Sequence, residues 1–124
     1  HRINRRQRQM CIRDRCVNFA EAQTKKLGLR APMVGHLGDG NFHVILPYDP
    51  KEEGTYNKIR DFSDLLIEKT LELNGTITGE HGVGLHKKAY LLKEHGDCIP
   101  LMKSIKRSID QNNIMNPGKI FDLN

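Results

Sequence analysis

Four residues have the side chains and spacing that metal and acid–base chemistry require. His36 and His43 flank the six-residue string LGDGNF, and Glu80 and His81 are adjacent within the glycine-rich string TGEHGVG. Two histidines and a carboxylate suit a divalent transition metal with open coordination positions. Imidazole titrates near neutral pH, so the remaining histidine could act as a base.

The two histidines meet only if the chain reverses between them. Asp39-Gly40 is a strong signal for a two-residue turn, and a type I′ turn there predicts that His36 lies directly opposite His43. The inner pairs would be Gly38 with Asn41 and Leu37 with Phe42. Opposed Cβ atoms lie about 4.5–5.5 Å apart, so both imidazoles could bind one cation at ~2.1 Å. The alternative is a histidine pair that covers an apolar face of the hairpin.

Glu80 and His81 can serve one site only if the backbone turns between them. Adjacent side chains of an extended strand point to opposite faces, but Gly79 and Gly82 permit a turn. The alternative is an exposed loop with a capping glutamate. The G-x-x-G-x-G spacing at 79–84 is not the dinucleotide-binding fingerprint and lies in no βαβ unit, so we reject that interpretation.

Hydrophobic periodicity and turn signals predict an α+β arrangement. The expected elements are helices over 17–27, 55–73, 85–94 and from residue 97, with strands over 31–35, 41–46 and 76–78. The last helix has an apolar stripe at helical spacing that we expect to be buried, formed by Cys98, Met102, Ile105 and Ile109. Three short strands are too few for an independent sheet, so we expect the chain to be part of a larger domain.

The net charge of +5 comes from the first residues of the chain. Residues 1–15 contain six arginines and one aspartate, whereas the other 109 residues contain 14 basic and 14 acidic side chains. A nucleic-acid binder usually has a basic stripe on the folded part, so this class is disfavoured. We expect residues 1–15 to be a disordered or artefactual basic tail, and residues 16–124 to form the domain.

The cysteines and hydropathy restrict the class further. Cys11, Cys16 and Cys98 are odd in number and lack C-x-x-C spacing, which argues against a disulfide framework or zinc knuckle. A reducing compartment is expected, either cytoplasmic or mitochondrial, with peripheral membrane attachment left open. No apolar run approaches the roughly 18 residues that span a membrane, and no signal-peptide core follows the arginines.

Three strings in this order resemble the C-terminal domain of FAD-linked oxidases: GHLGDGNFH at 35–43, GEHGVG at 79–84 and MNPGK at 115–119. That family includes cytochrome-type D-lactate dehydrogenase, the FAD subunit of glycolate oxidase and D-2-hydroxyglutarate dehydrogenase. The resemblance covers about residues 17–124. It implies an upstream FAD-binding domain of the vanillyl-alcohol-oxidase type and a ferredoxin-like substrate domain, of which this chain is the last part.

The resemblance also implies roles for single residues. In the family the matching positions bind a divalent metal, zinc or manganese, through His36, His43 and Glu80. The position of His81 supplies the proposed base, and Asn116 and Lys119 lie in a motif near the flavin. The arginine and lysine that hold the substrate carboxylate in relatives have no counterpart in this chain.

The implied reaction is FAD-dependent dehydrogenation of a D-2-hydroxy acid to the 2-oxo acid. Electrons would pass to a cytochrome, a quinone or an electron-transfer flavoprotein. Ile45 stands where D-2-hydroxyglutarate dehydrogenases have a polar residue, which favours D-lactate, then glycolate, over a dicarboxylate. The chain alone is expected to be inactive, because nothing in it binds an ADP moiety. The rival hypothesis is a non-catalytic metal-binding module.

Overall fold

The chain divides into two units, His1–Gly75 and Thr76–Asn124, called here the first and second unit. The computed structural model describes residues 5–36 and 39–123, with side chains from residue 11 onward in those ranges. The first unit contains helix α1 (Arg5–Leu27), strands β1 (Met33–His36) and β2 (Asn41–Val44), and helix α2 (Thr55–Glu72). The second unit contains helix α3 (Lys88–His95), a 3-10 turn (Gly96–Cys98) and helix α4 (Ile99–Ile109). The predicted α+β mixture is therefore confirmed.

Helix α1 begins well before the predicted start at residue 17. No glycine or proline occurs before Gly28, and arginine and glutamine are good helix formers, so the sequence contains no stop signal there. Residues 5–15 are thus helical, unlike the expected tail, while residues 1–4 lie outside the described ranges. A domain boundary at residue 16 stays a prediction. The helix ends where predicted, at Gly28 in the left-handed region, with φ of 67°.

Helices α1 and α2 pack together and form the core of the first unit. Cys16 and Ala20 of α1 and Phe62 of α2 are at most 2% exposed. Burying one phenylalanine contributes about 1.5–3 kcal/mol, which makes Phe62 a main support of this small core. The helix predicted over 55–73 is confirmed as α2, and the chain leaves it at Asn74, whose φ is 58°.

The β-hairpin forms, but its register differs by two residues from the predicted one. His36 pairs with Asn41 and Val34 pairs with His43. Gly40 has a φ of 69°, a left-handed conformation that glycine adopts without steric cost. The Asp39 N–H donates to the His36 carbonyl at 3.1 Å, so the chain begins to reverse at His36 rather than at Gly38.

The register also replaces the predicted inner pairs. Phe42 lies opposite Gly35 rather than Leu37, and Asn41 opposite His36 rather than Gly38. Leu37 and Gly38 lie outside the described ranges. A Cβ added to Gly35 would lie 2.5 Å from the Asn41 carbonyl oxygen and 2.9 Å from Phe42 Cα. The absence of a side chain at Gly35 is therefore what allows the two strands to approach so closely.

The predicted strand over 76–78 is wrong. Buried Ile77 forms its main-chain hydrogen bonds with side chains instead of with a neighbouring strand. Its N–H donates to Glu94 Oε2 at 3.1 Å, and its carbonyl accepts from Lys87 Nζ at 3.1 Å. The short apolar run signalled burial correctly, but burial here does not require a sheet.

The expected buried stripe of the last helix is also wrong. Ile105 and Ile109 are 52% and 71% exposed, Cys98 is exposed, and Met102 is half-buried. Periodicity identified the apolar face of α4, but it does not specify what covers that face. Among the described residues, no helix has both the length and the hydropathy needed to cross a membrane.

We expect Gly35→Ala to destabilise the chain by about 1–3 kcal/mol, because the new methyl group overlaps main-chain atoms of β2. Gly96→Ala is the control, since its Cβ would meet only Leu92 Cδ1 at 3.7 Å and its φ is −50°. Urea unfolding monitored by circular dichroism measures both variants. Equal stability of the two variants would show that the strands accommodate a methyl group at residue 35, contrary to the contacts described above.

Candidate metal and acid–base site

The hairpin presents His36 and His43 on one face. In the observed register the two residues are diagonal neighbours across the strands, and diagonal pairs share a face. Their ring centroids lie 6.2 Å apart with an interplanar angle of 87°. His36 is exposed and His43 is half-buried, so the pair is accessible to a ligand.

The spacing of the two imidazoles suits a shared cation. One ring nitrogen of His36 lies within 4.8 Å of one ring nitrogen of His43. Two nitrogens bound at ~2.1 Å to one tetrahedral ion are roughly 3.4 Å apart, so small side-chain rotations would close the difference. The predicted direct opposition of the histidines is wrong, but the first unit still brings the pair together.

Glu80 and His81 lie on a bend of the second unit. The Gly82 N–H approaches the Gly79 carbonyl at 3.4 Å, and Gly82 has a φ of 70°, a conformation that favours glycine. The chain thus turns between the two residues, and His81 Nε2 lies 3.5 Å from Glu80 Oε1. Both side chains are more than half exposed, so this bend offers a carboxylate and an imidazole to solvent.

The segment that carries Asn116 and Lys119 is bonded to the end of this bend and to Lys88, the first residue of α3. The Ile120 N–H donates to the Gly84 carbonyl at 2.8 Å. Lys88 Nζ donates to the Gly118 carbonyl at 3.3 Å and to both carboxylate oxygens of Asp122, at 2.7 and 2.8 Å. The second unit therefore brings two of the three recognised strings together, with Asn116 and Lys119 exposed.

Comparison with known proteins bears on these strings directly. The model of the family described as FAD linked oxidases, C-terminal domain, matches residues 13–120. The chain belongs to this family. The resemblance seen in the three strings is therefore confirmed.

Similarity to individual proteins supports the same family assignment. The chain is 43% identical over 96 residues to a probable mitochondrial D-lactate dehydrogenase of Danio rerio, covering 77% of this chain and 19% of that protein. It is 44% identical over 90 residues to the glycolate oxidase subunit GlcD of Bacillus subtilis, covering 70% and 19%. It is 39% identical over 90 residues to a D-2-hydroxyglutarate dehydrogenase of Stutzerimonas stutzeri, again covering 70% and 19%. The chain spans about a fifth of the length of these relatives.

Ile45 follows β2 and is 50% exposed, with its N–H bonded to the Pro32 carbonyl at 2.9 Å. This bond continues the hairpin ladder by one step beyond Val44. Ile45 therefore lies on the same hairpin as the two histidines.

Asp110 organises the oxidase domain's terminal string, although it lies outside the three recognised strings. Its side chain is 3% exposed and accepts hydrogen bonds from the N–H groups of Ile114 and Met115, both at 2.9 Å. Lys106 donates to the same carboxylate and to the Met115 carbonyl. An aspartate just after a helix, ahead of a turn, is the available sequence signal.

These bonds hold the pKa of the Asp110 carboxyl below its ordinary value. The hydrogen bond from Lys106 lowers the pKa most, burial opposes it, and the Ile114 and Met115 N–H groups lower it further. A lowered pKa means that the folded state is stabilised by the ionised carboxylate. That stabilisation is complete above the unfolded-state pKa of about 3.9 and is lost as the pH falls through the folded-state value.

We expect Asp110→Asn to lower the stability of the oxidase domain at neutral pH. The stability gap from wild type should narrow as the pH falls below the unfolded-state pKa of about 3.9 toward the lowered folded-state value. Thermal unfolding at a series of pH values measures this gap. Asp97→Asn, at an exposed position of the same unit, is the control. A gap that stays constant down to acidic pH would contradict the role given to the Asp110 charge.

Proposed function

We propose that the complete protein is an FAD-dependent D-2-hydroxy-acid dehydrogenase, and that this chain supplies a metal-and-base half-site. The observation that carries the proposal is the pair of imidazoles on one face of the hairpin, in a chain of the FAD-linked oxidase family. The names of the three relatives give D-lactate, glycolate and D-2-hydroxyglutarate as substrates of those proteins. Each of these compounds is a 2-hydroxy acid.

We propose that Glu80 joins His36 and His43 as the third ligand of one divalent cation, zinc or manganese. Two neutral imidazoles and one carboxylate form a donor set with an open position, as in catalytic zinc sites. The exposure of Glu80 and the separation of the histidine nitrogens support this fit. When bound, the cation would supply Lewis acidity at the substrate oxygens, and the flavin would accept the hydride from C2.

His81 would remove the proton of the substrate 2-hydroxyl group. An imidazole is suited to this step because it exchanges protons near neutral pH. The side chain is 74% exposed and lies beside Glu80, so it could face the same substrate that the cation binds. Asn116 and Lys119 would lie near the flavin, and the exposed ammonium group of Lys119 could pair with an anionic group there.

We expect D-lactate to be the preferred substrate, followed by glycolate. A second carboxylate on the substrate would need a polar or cationic partner, and Ile45 offers only an exposed apolar side chain near β2. D-2-hydroxyglutarate is the second candidate, because a relative of that name is 39% identical to this chain.

The remaining parts of the proposal concern the complete protein. This chain would be the last part of a ferredoxin-like substrate domain that follows a vanillyl-alcohol-oxidase-type FAD domain. It would be inactive alone, because the relatives that it matches are about four times as long as this chain. The reduced flavin would pass electrons to a cytochrome, a quinone or an electron-transfer flavoprotein. The mitochondrial name of the Danio rerio relative supports a mitochondrial location.

Two histidine variants of the complete protein separate the two proposed roles. We expect His36→Ala to lose both the bound metal and most turnover, since a ligand is removed. His81→Asn should keep the metal and lower kcat by roughly 10²–10⁴-fold, since only the base is removed. Metal content by elemental analysis and steady-state turnover of D-lactate measure the two effects.

His86→Ala is the matched control, because it removes an exposed histidine of the second unit that has no proposed role. Full turnover by a His36→Ala protein without metal would contradict the metal site. An unchanged rate in His81→Asn would exclude His81 as the base.

A further inference from the structure

The main chain of Ile77 is held at both of its polar groups by one helix. Glu94 in the last turn of α3 accepts its N–H, and Lys87 at the N-cap of α3 donates to its carbonyl, both at 3.1 Å. Ile77 is 7% exposed, and the Glu94 side chain is 11% exposed. Because a buried main-chain group without a partner is costly, these two side chains satisfy a requirement that a neighbouring strand would otherwise meet.

Ile77 lies three residues before Glu80, at the start of the bend. The bend itself contains Gly79, Gly82 and Gly84, which restrict the backbone little. At its far end the Gly84 carbonyl accepts the Ile120 N–H at 2.8 Å. The bend is therefore a short glycine-rich segment that hydrogen bonds hold at both ends, through Ile77 at its start and Gly84 at its far end.

We propose that Lys87 and Glu94 are positioning residues that fix the place of Glu80 and His81 by anchoring the main chain of Ile77. This inference rests on the proposed metal-and-base function of those two residues. Neither Lys87 nor Glu94 would touch the substrate or the metal. They would act as partners that support a ligand, and loss of such partners typically weakens metal binding by roughly 10–100-fold.

The chain offers matched variants at both positions. Lys87→Met removes the ammonium group while keeping the aliphatic stem, whereas Lys87→Arg keeps a donor. Glu94→Leu removes the acceptor, whereas Glu94→Gln keeps a side-chain oxygen that can accept the Ile77 N–H. Lys58→Met, at an exposed position of α2, controls for the loss of a lysine charge.

Two measurements on the complete protein test the proposal. Amide hydrogen exchange reports whether residues 77–82 are held, independently of any metal. Titration with Mn²⁺ reports the affinity of the proposed site. We expect Lys87→Met and Glu94→Leu to speed exchange across 77–82 and to weaken Mn²⁺ binding at least about tenfold. Lys87→Arg, Glu94→Gln and Lys58→Met should stay close to wild type, and exchange in α4 should not change.

The outcomes separate this inference from the function on which it rests. Faster exchange with unchanged Mn²⁺ affinity, or unchanged exchange in both truncating variants, would overturn the positioning role. A wild-type protein that binds no Mn²⁺ would overturn the metal site itself. In that case, faster exchange in Lys87→Met and Glu94→Leu would still support the anchoring of the bend.

Discussion

The close approach of the two hairpin strands at Gly35 is the constraint on which the histidine pair depends. A side chain at this position would overlap the Asn41 carbonyl and Phe42, so only glycine permits the observed pairing. Gly35 immediately precedes His36, and its partner Phe42 immediately precedes His43. The residue that fixes the spacing of the strands is therefore adjacent to the candidate ligand, and disruption of that spacing would move both imidazoles.

The second unit is organised more by side chains bonded to the main chain than by a large apolar core. Ile77 and Leu91 are its buried apolar residues among those described. Glu94 and Lys87 hold Ile77, Asp110 holds the turn after α4, and Lys88 holds the terminal string. Bonds to charged groups are individually stronger than neutral ones, and they restrain irregular segments that have no ladder of their own. Such segments carry Glu80, His81, Asn116 and Lys119.

Local sequence signals were sufficient for much of the first unit. Glycine and asparagine marked the ends of α1 and α2, and Asp39-Gly40 located the hairpin. The register was wrong by two residues because the strand pairing ends at His36 and Asn41, where the His36 carbonyl accepts the Asp39 N–H, instead of closing around Asp39-Gly40. His36 and His43 still lie on one face of the hairpin. Side chains alternate between faces with a period of two, so a register shift of two residues leaves each side chain on the same face.

Local sequence patterns could not predict contacts between residues that are distant in sequence. The bonds from Ile77 to Glu94 and Lys87 span 17 and 10 residues, and they replace the strand predicted over 76–78. The apolar stripe of α4 was located, but its exposure depends on what packs against it. The basic composition of residues 5–15 predicts a tail, but this segment contains no helix breaker and belongs to α1.

The proposed function depends on the hairpin histidines and Glu80 binding one cation. Anomalous diffraction at the zinc edge, from crystals of the complete protein grown with Zn²⁺, tests it most directly. The expected result is one peak about 2.0–2.2 Å from a nitrogen of His36, a nitrogen of His43 and an oxygen of Glu80. A zinc peak that neither histidine contacts, in a protein that is active with D-lactate, would contradict the claim.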